Sequence, residues 1–195
     1  MASKGEQTRE KILAQATRVF NRQGFRSTTI NDLLEATGTT KGNLYFHFSG
    51  KEEVGLEVLK REKAAFMPFL DVALAGDTPG AGLDNFLRCA FLKHRRSGFV
   101  GGCLFGNTAL EASDTAPAFA ELVGGVFDEW IGKIQSKIAE AQQAGQVRRD
   151  LPAQHLAELV VATVEGSIMQ ARLQKAEGPM SRTLETLRAL LDLKV

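Results

Sequence analysis

Apolar residues recur at three- and four-residue spacings from one end of this 195-residue chain to the other, and no segment alternates cleanly with period two. A strand needs every second side chain on one face, a helix every third or fourth, so the pattern predicts an all-α protein. Ile12, Leu13, Ala16, Val19 and Phe20 line one face of a first helix, which Gly24 can close as a left-handed cap. Thr29 with Asp32 has the spacing of a capping box and opens a short helix that buries Ile30, Leu33 and Leu34. Gly38 then turns the chain, and Thr40 caps a third helix of roughly eight residues ending near Phe48.

Ser49 and Glu52 form another S-x-x-E box, so a longer fourth helix is expected from Gly50 toward Leu74, with Pro68 kinking or stopping it. The run AGDTPGAG reads as a loop. Leu83, Phe86, Leu87, Ala90, Phe91 and His94 mark a fifth helix ended by the glycines at 98, 101 and 102, and a short sixth covers Leu104 to Ala112. Pro117 opens the longest helix, whose stripe includes Val126, Phe127, Trp130, Ile134 and Ile138. Asp150 and Pro152 start another, closed by EGP at 177–179, and Leu184, Leu187, Leu190 and Leu191 finish the chain.

An apolar content of 44% with 24% charged residues excludes a disordered or fibrous chain. The opening MASKGEQTREK is polar, and no apolar run approaches the roughly 18 residues of a membrane span, so a cytoplasmic protein with no membrane partner is expected. Cys89 and Cys103 are too few for a disulfide framework and lack the paired spacing of a zinc site. The net charge of +1 is unevenly spread. Residues 1–51 hold eight Lys/Arg against four acids, which leaves +4 there and −3 in the remainder. A basic head on a slightly acidic body suits a phosphate-bearing partner, and a solvated helix face would look the same by charge alone.

The stretch TTKGNLYFHF, 39–48, is more specific. At about 100° per residue Lys41, Gly42 and Tyr45 share one arc of the third helix while Leu44 and Phe48 lie together on another. A short helix, a glycine turn and a second helix with one apolar and one polar side make a helix-turn-helix, whose second helix enters the DNA major groove. Lys41 can reach a guanine edge or a phosphate, and Asn43 has the amide that pairs with adenine. Gly42 allows close backbone approach. Tyr45 and His47 have polar tips suited to phosphate oxygens; Thr29 and Lys51 sit where helix starts can hold phosphates.

Residues 8–60 resemble the DNA-binding domain of the tetracycline-repressor (TetR) family of bacterial one-component regulators, through QGF at the end of the first helix, TTI and DL in the second, KGNLYFHF and SGKEEV. The resemblance implies a helix-turn-helix DNA-binding domain over 1–50 and a larger helical effector-binding and dimerisation domain over 51–195. It also implies a homodimer on double-stranded operator DNA, and a small-molecule effector. By matching positions, Thr29, Thr39, Thr40, Lys41, Gly42, Asn43, Tyr45, His47 and Lys51 are the expected DNA contacts, with base specificity from Thr40, Lys41 and Asn43. The dimer face is expected to use Leu156, Val160, Val164 and Leu187.

In the carboxy-terminal body, Phe66, Phe91, His94, Cys103, Asn107, Phe127, Trp130 and Met169 are the expected ligand-binding residues, a mostly apolar set with a few orienting groups; an ordinary core would have the same composition. Cys103, between two glycines and a helix start, is placed to have a lowered thiol pKa. GGCLFGNTALEASD resembles a TetR subgroup that includes cysteine-based sensors of electrophiles and oxidants, which makes such a repressor the alternative. A metal site on Cys89, His94 and Cys103 is disfavoured by the five-residue gap in one helix, and Cys103, His94 and Glu111 lack any nucleophile motif. No catalytic residue, metal or cofactor is assigned.

Overall fold

A computed structural model describes residues 3–195. Among them are nine helices and no strand: α1 (Lys4–Gln23), α2 (Ile30–Thr37), α3 (Lys41–His47), α4 (Lys51–Ala73), α5 (Pro79–Arg96), α6 (Leu104–Ala112), α7 (Pro117–Gln143), α8 (Ala153–Gln174) and α9 (Gly178–Leu190). They fall into two compact units. The first runs as far as Ala64 and includes 103–124; the second comprises 65–102 and 125–195.

The first unit is built on the apolar face of α1. Ile12, Leu13, Ala16 and Phe20 meet Leu33 of α2, Leu44 and Phe48 at α3, and Val54 and Val58 of α4 in one buried cluster. Each of these side chains except Ala16 contributes about 1.5–3 kcal/mol on burial. Val19, Phe25, Ile30, Leu34 and Leu104 pack around it, partly buried. At α1's start Ser3 and Glu6 form a reciprocal capping box, and at its end Gly24 has φ 87° and ψ 158°. That is not the left-handed cap expected there but an extended region open essentially to glycine alone. Gly38, by contrast, is left-handed, at φ 63° and ψ 24°.

Aromatic packing ties the rest of this unit together. Phe25 lies 5.3 Å from Phe20 and 4.6 Å from Phe119 of α7, centroid to centroid. The approach of both Phe25 and Phe119 to α4 depends on Gly55: a Cβ there would sit 2.6 Å from the Phe25 ring and 2.8 Å from Phe119. Lys51 Nζ lies 4.6 Å above the Phe25 ring and donates to the carbonyls of Phe25 (3.0 Å) and Thr28 (2.8 Å). Ser49 pairs with Glu53 rather than with Glu52, its N–H and hydroxyl both donating to Glu53 Oε2 at 2.6 and 2.7 Å. Four residues of separation let the carboxylate reach back over both donors. Those bonds hold the Glu53 carboxyl below its ordinary pKa.

In the second unit Leu70, Leu83, Phe86, Leu87, Val126, Trp130, Ile134, Ile138, Val160, Val164, Leu184 and Leu187 are buried. α4 neither stops nor breaks at Pro68. The proline removes one N–H···O bond to Ala64, but Met67, Leu70 and Ala73 are buried around it and hold the helix through the gap. AGDTPGAG is only half a loop, because Thr78 caps α5 by accepting from Ala81 N at 3.1 Å and Pro79 sits in the first turn. EGP does not close α8, which ends at left-handed Lys175; Gly178 and Pro179 start α9 instead. Leu156, Val160, Val164 and Leu187, expected at a dimer face, are each about fully buried inside this one chain. The outward apolar residues of those helices are Leu159, Met169, Leu173 and Leu190.

His94 is 8% exposed in this core, and desolvation, reinforced by the neighbouring Lys93 charge, pushes its pKa down to about 4. Protonation is therefore resisted in the folded state and accepted in the unfolded state. Between about pH 6.5 and pH 4 stability should fall with falling pH, by up to about 3 kcal/mol. Urea unfolding across that range should show the slope in the wild type and its loss in His94→Gln; equal slopes would place the titration elsewhere. Independently, Gly55→Ala should destabilise by about 1–3 kcal/mol, because ring displacement outweighs the gain in helix propensity. Thermal and urea unfolding would measure it, and an unchanged or raised midpoint would contradict the packing described.

Candidate nucleic-acid interface

The α2–α3 pair is held by local hydrogen bonds at every joint. Thr29 caps α2: its hydroxyl accepts from Asp32 N at 3.2 Å, while its own N–H and hydroxyl donate to Asp32 Oδ2 at 2.7 and 2.8 Å. The backbone bond first, then the hydroxyl bond, hold the Asp32 carboxyl below the usual carboxylate range. At the turn Gly38 N donates to Leu34 O at 2.9 Å. Thr40 caps α3 by accepting from Asn43 N at 3.3 Å, and Asn43 Nδ2 donates to Thr39 Oγ1 at 3.1 Å. Thr39 and Asn43 are thus positioned against each other before any partner arrives.

α3 is divided between two environments. Leu44 is fully buried and Phe48 nearly so, whereas Thr40, Lys41, Gly42, Asn43, Tyr45 and Phe46 are exposed. Lys41 Nζ stands 6.0 Å from the Tyr45 ring centroid. A Cβ built on Gly42 would meet nothing within 4 Å, so the glycine is not there for internal packing. His47 is half-buried, its ring edge-on to Phe46 at 5.0 Å and its Cε1 3.8 Å from where a Gly5 Cβ would stand. Lys51, expected at a phosphate, directs its ammonium to the carbonyls of the loop that delivers Thr29. The exposure of Phe46 was missed in the sequence, although its place opposite Leu44 on the helix was there to find.

α6 packs in this same unit. Asn107 Nδ2 donates to Asn21 Oδ1 at 3.3 Å, and Glu111 Oε2 accepts from Arg26 N at 3.1 Å. Glu111 also fills the space beside Gly24, where a Cβ would lie 2.5 Å from its Oε1. Cys103 caps α6, its Sγ accepting from Gly106 N at 3.5 Å.

The expected ligand residues divide between the units. Asn107 and Cys103 belong to the first. In the second, Phe66 meets Trp130 edge-on at 5.1 Å and Phe127 stacks on it at 5.8 Å. Phe91 lies 6.4 Å from Phe99, and Lys93 Nζ is 5.5 Å above the Phe66 ring. Trp130 is 3% exposed, and its Nε1 finds no acceptor among the described residues. Met169, expected beside these groups, is 58% exposed on α8. No described helix is long and apolar enough to cross a membrane.

Comparison with known proteins agrees with this geometry. Residues 12–58 match the model for bacterial regulatory proteins of the tetR family, and residues 81–187 match the tetracyclin repressor-like C-terminal domain. The HTH-type transcriptional repressor DhaR of Mycobacterium sp. (strain GP1) is 28% identical over 90% of this chain and 88% of its own. The transcriptional regulator AcuR of Cereibacter sphaeroides is 30% identical over 81% of this chain and 73% of its own. A TetR transcriptional regulator from Chloroflexus aurantiacus J-10-fl superposes with a TM-score of 0.85 at 35% identity, covering 95% of this chain and 94% of its own. With both of its parts matched, the chain belongs to the TetR family of transcriptional regulators.

Proposed function

We propose that this chain acts as a homodimeric repressor that holds a pseudo-palindromic operator and releases it when a small molecule binds the helical body. The observation that carries the reading is the division of α3, sealed along Leu44 and Phe48 and open along Lys41, Gly42, Asn43 and Tyr45. In this reading residues 1–50 bind DNA and 51–195 bind effector and partner. Thr40, Lys41 and Asn43 address base edges, and Gly42 lets the backbone come close. Thr29, Thr39, Tyr45 and His47 hold the phosphates. Lys51 contributes by fixing the loop ahead of Thr29. Repression, rather than activation, is favoured by the similarity to DhaR, a transcriptional repressor.

Two recognition helices about 34 Å apart would read half-sites one turn of DNA apart. The face that brings two copies together is the exposed apolar side of α8 and α9, with Leu159, Met169, Leu173 and Leu190. A hollow of about 210 Å³ among Thr163, Arg182, Thr183, Thr186, Leu187 and Leu190 lies on it, suited to a side chain of the second copy. For the effector, the Phe66, Phe127 and Trp130 rings offer an apolar bed, and the unsatisfied indole N–H a donor for an acceptor atom. Release requires that the effector favour a conformation in which α3 no longer fits the groove; coupling of about 1–3 kcal/mol changes operator affinity roughly 5- to 150-fold. The alternative of sensing through Cys103 would draw on the N–H that Gly106 directs at its Sγ.

Duplexes selected from a random pool by the purified protein should converge on a pseudo-palindrome; no enrichment over the input would end the reading. Gly42→Ala separates recognition from folding. It should raise stability slightly, by up to about 1 kcal/mol for a glycine replaced in a helix, while weakening binding to the selected duplex roughly tenfold. A variant that is destabilised and binds normally would mean that Gly42 serves the fold alone. Sedimentation should show a dimer that Leu159→Glu with Leu173→Glu converts to a folded monomer of much reduced operator affinity. A dimer indifferent to both changes would place the interface on another face.

A further inference from the structure

We propose that Phe46 reads the 5-methyl group of a thymine in the major groove of the operator. The inference rests on the reading of α3 as the recognition helix and adds a specificity determinant to it. Phe46 is 81% exposed, the most exposed large apolar side chain of α2 and α3. At about 100° per residue it lies about 160° around the helix from both buried residues, Leu44 and Phe48, and so at the middle of the outward side. Gly42, one turn earlier, is about 40° away on that side and has no side chain, with open space where a Cβ would be. The Phe46 ring is therefore the projecting feature of the helix, flanked by Lys41, Asn43 and Tyr45, all exposed. Its described ring contact is the edge-on one to half-buried His47, at 5.0 Å.

The chemistry of the ring limits what it can recognise. It has no donor or acceptor, so it cannot pair with a base edge or hold a phosphate. Of the groups that base pairs present in the major groove, the thymine methyl is the apolar one, and phenylalanine is among the side chains that contact it. Burial of one methyl against the ring corresponds to about a fourfold change in affinity, or ~0.8 kcal/mol, for each thymine so read.

The test uses the duplex selected by the wild-type protein. Each thymine is replaced in turn by deoxyuridine, which removes the methyl and leaves every hydrogen-bonding group in place, and affinities are measured by fluorescence anisotropy for the wild type and for Phe46→Ala. One thymine per half-site should show a wild-type loss of about fourfold that is absent in Phe46→Ala, which already binds the unmodified duplex more weakly. Because Phe46 is exposed, its variant should unfold at the wild-type temperature. If deoxyuridine is tolerated at every position, the inference is overturned while operator binding stands. If Phe46→Ala weakens all duplexes alike and keeps the wild-type response to deoxyuridine, the ring touches backbone and the inference is overturned too. If no duplex is selected, the reading of α3 falls and takes this inference with it.

Discussion

The outward side of α3, which we propose faces DNA, depends on the burial of two side chains, Leu44 and Phe48. α3 has seven residues, and an isolated helix shorter than roughly 12–15 residues is marginal in water, so nothing inside α3 can hold its own shape. Its inner side enters the cluster formed by α1, α2 and α4, where each of the two side chains supplies about 1.5–3 kcal/mol. Caps complete the constraint. Thr40 takes the Asn43 N–H at one end, and Phe48 N–H closes on Leu44 O at 3.0 Å at the other. A helix so fixed cannot rotate about its axis without exposing Leu44, and that is what aims Lys41, Asn43 and Phe46 outward. The proposed recognition surface is thus a consequence of the core, and a loss at Leu44 would be a loss of aim as much as of stability.

Local signals in the sequence translated well into this head, and for an identifiable reason. Capping boxes and left-handed glycines act over three or four residues, so Thr29 with Asp32, Thr40 and Gly38 could be read from the chain alone. Errors arose where two local solutions competed. Ser49 had acids at both Glu52 and Glu53, and only the backbone geometry selects the latter. A glycine-proline pair can end one helix or begin the next, and at 178–179 it begins α9. Pro68 was read by its intrinsic cost, which buried neighbours overcome. Leu156, Val160, Val164 and Leu187 were placed at a subunit face because period alone does not distinguish the inside of one chain from the join between two. Least legible was the meeting of Phe25, Gly55 and Phe119, since no local pattern connects residues so far apart.

α6 joins the first unit through weak polar bonds beside apolar burial. By sequence α6 falls within the C-terminal family domain, yet it packs in the compact unit that contains α1. Leu104 sits at the edge of the head's core, and two further ties to α1 and its following loop are polar: Asn107 to Asn21, and Glu111 to Arg26 N. The Arg26 bond is exposed and the Asn21 bond only partly buried, and a net hydrogen bond of this kind is worth about 0.5–1.5 kcal/mol. Two of them together are worth about 1–3 kcal/mol, the scale of the coupling that the proposed effector would need.

In the proposed switch, an attachment made only of buried leucines would resist that coupling, whereas one made of water alone would transmit nothing. α4 presents a similar compromise by different means. The division between the two units falls at Ala64, whose carbonyl is the one that Pro68 cannot reach with an N–H. A single missing rung leaves α4 continuous while making that turn the softest in the helix. The segment before it, 60–66, also has no buried side chain, so two local weaknesses coincide where α4 passes from one unit to the other.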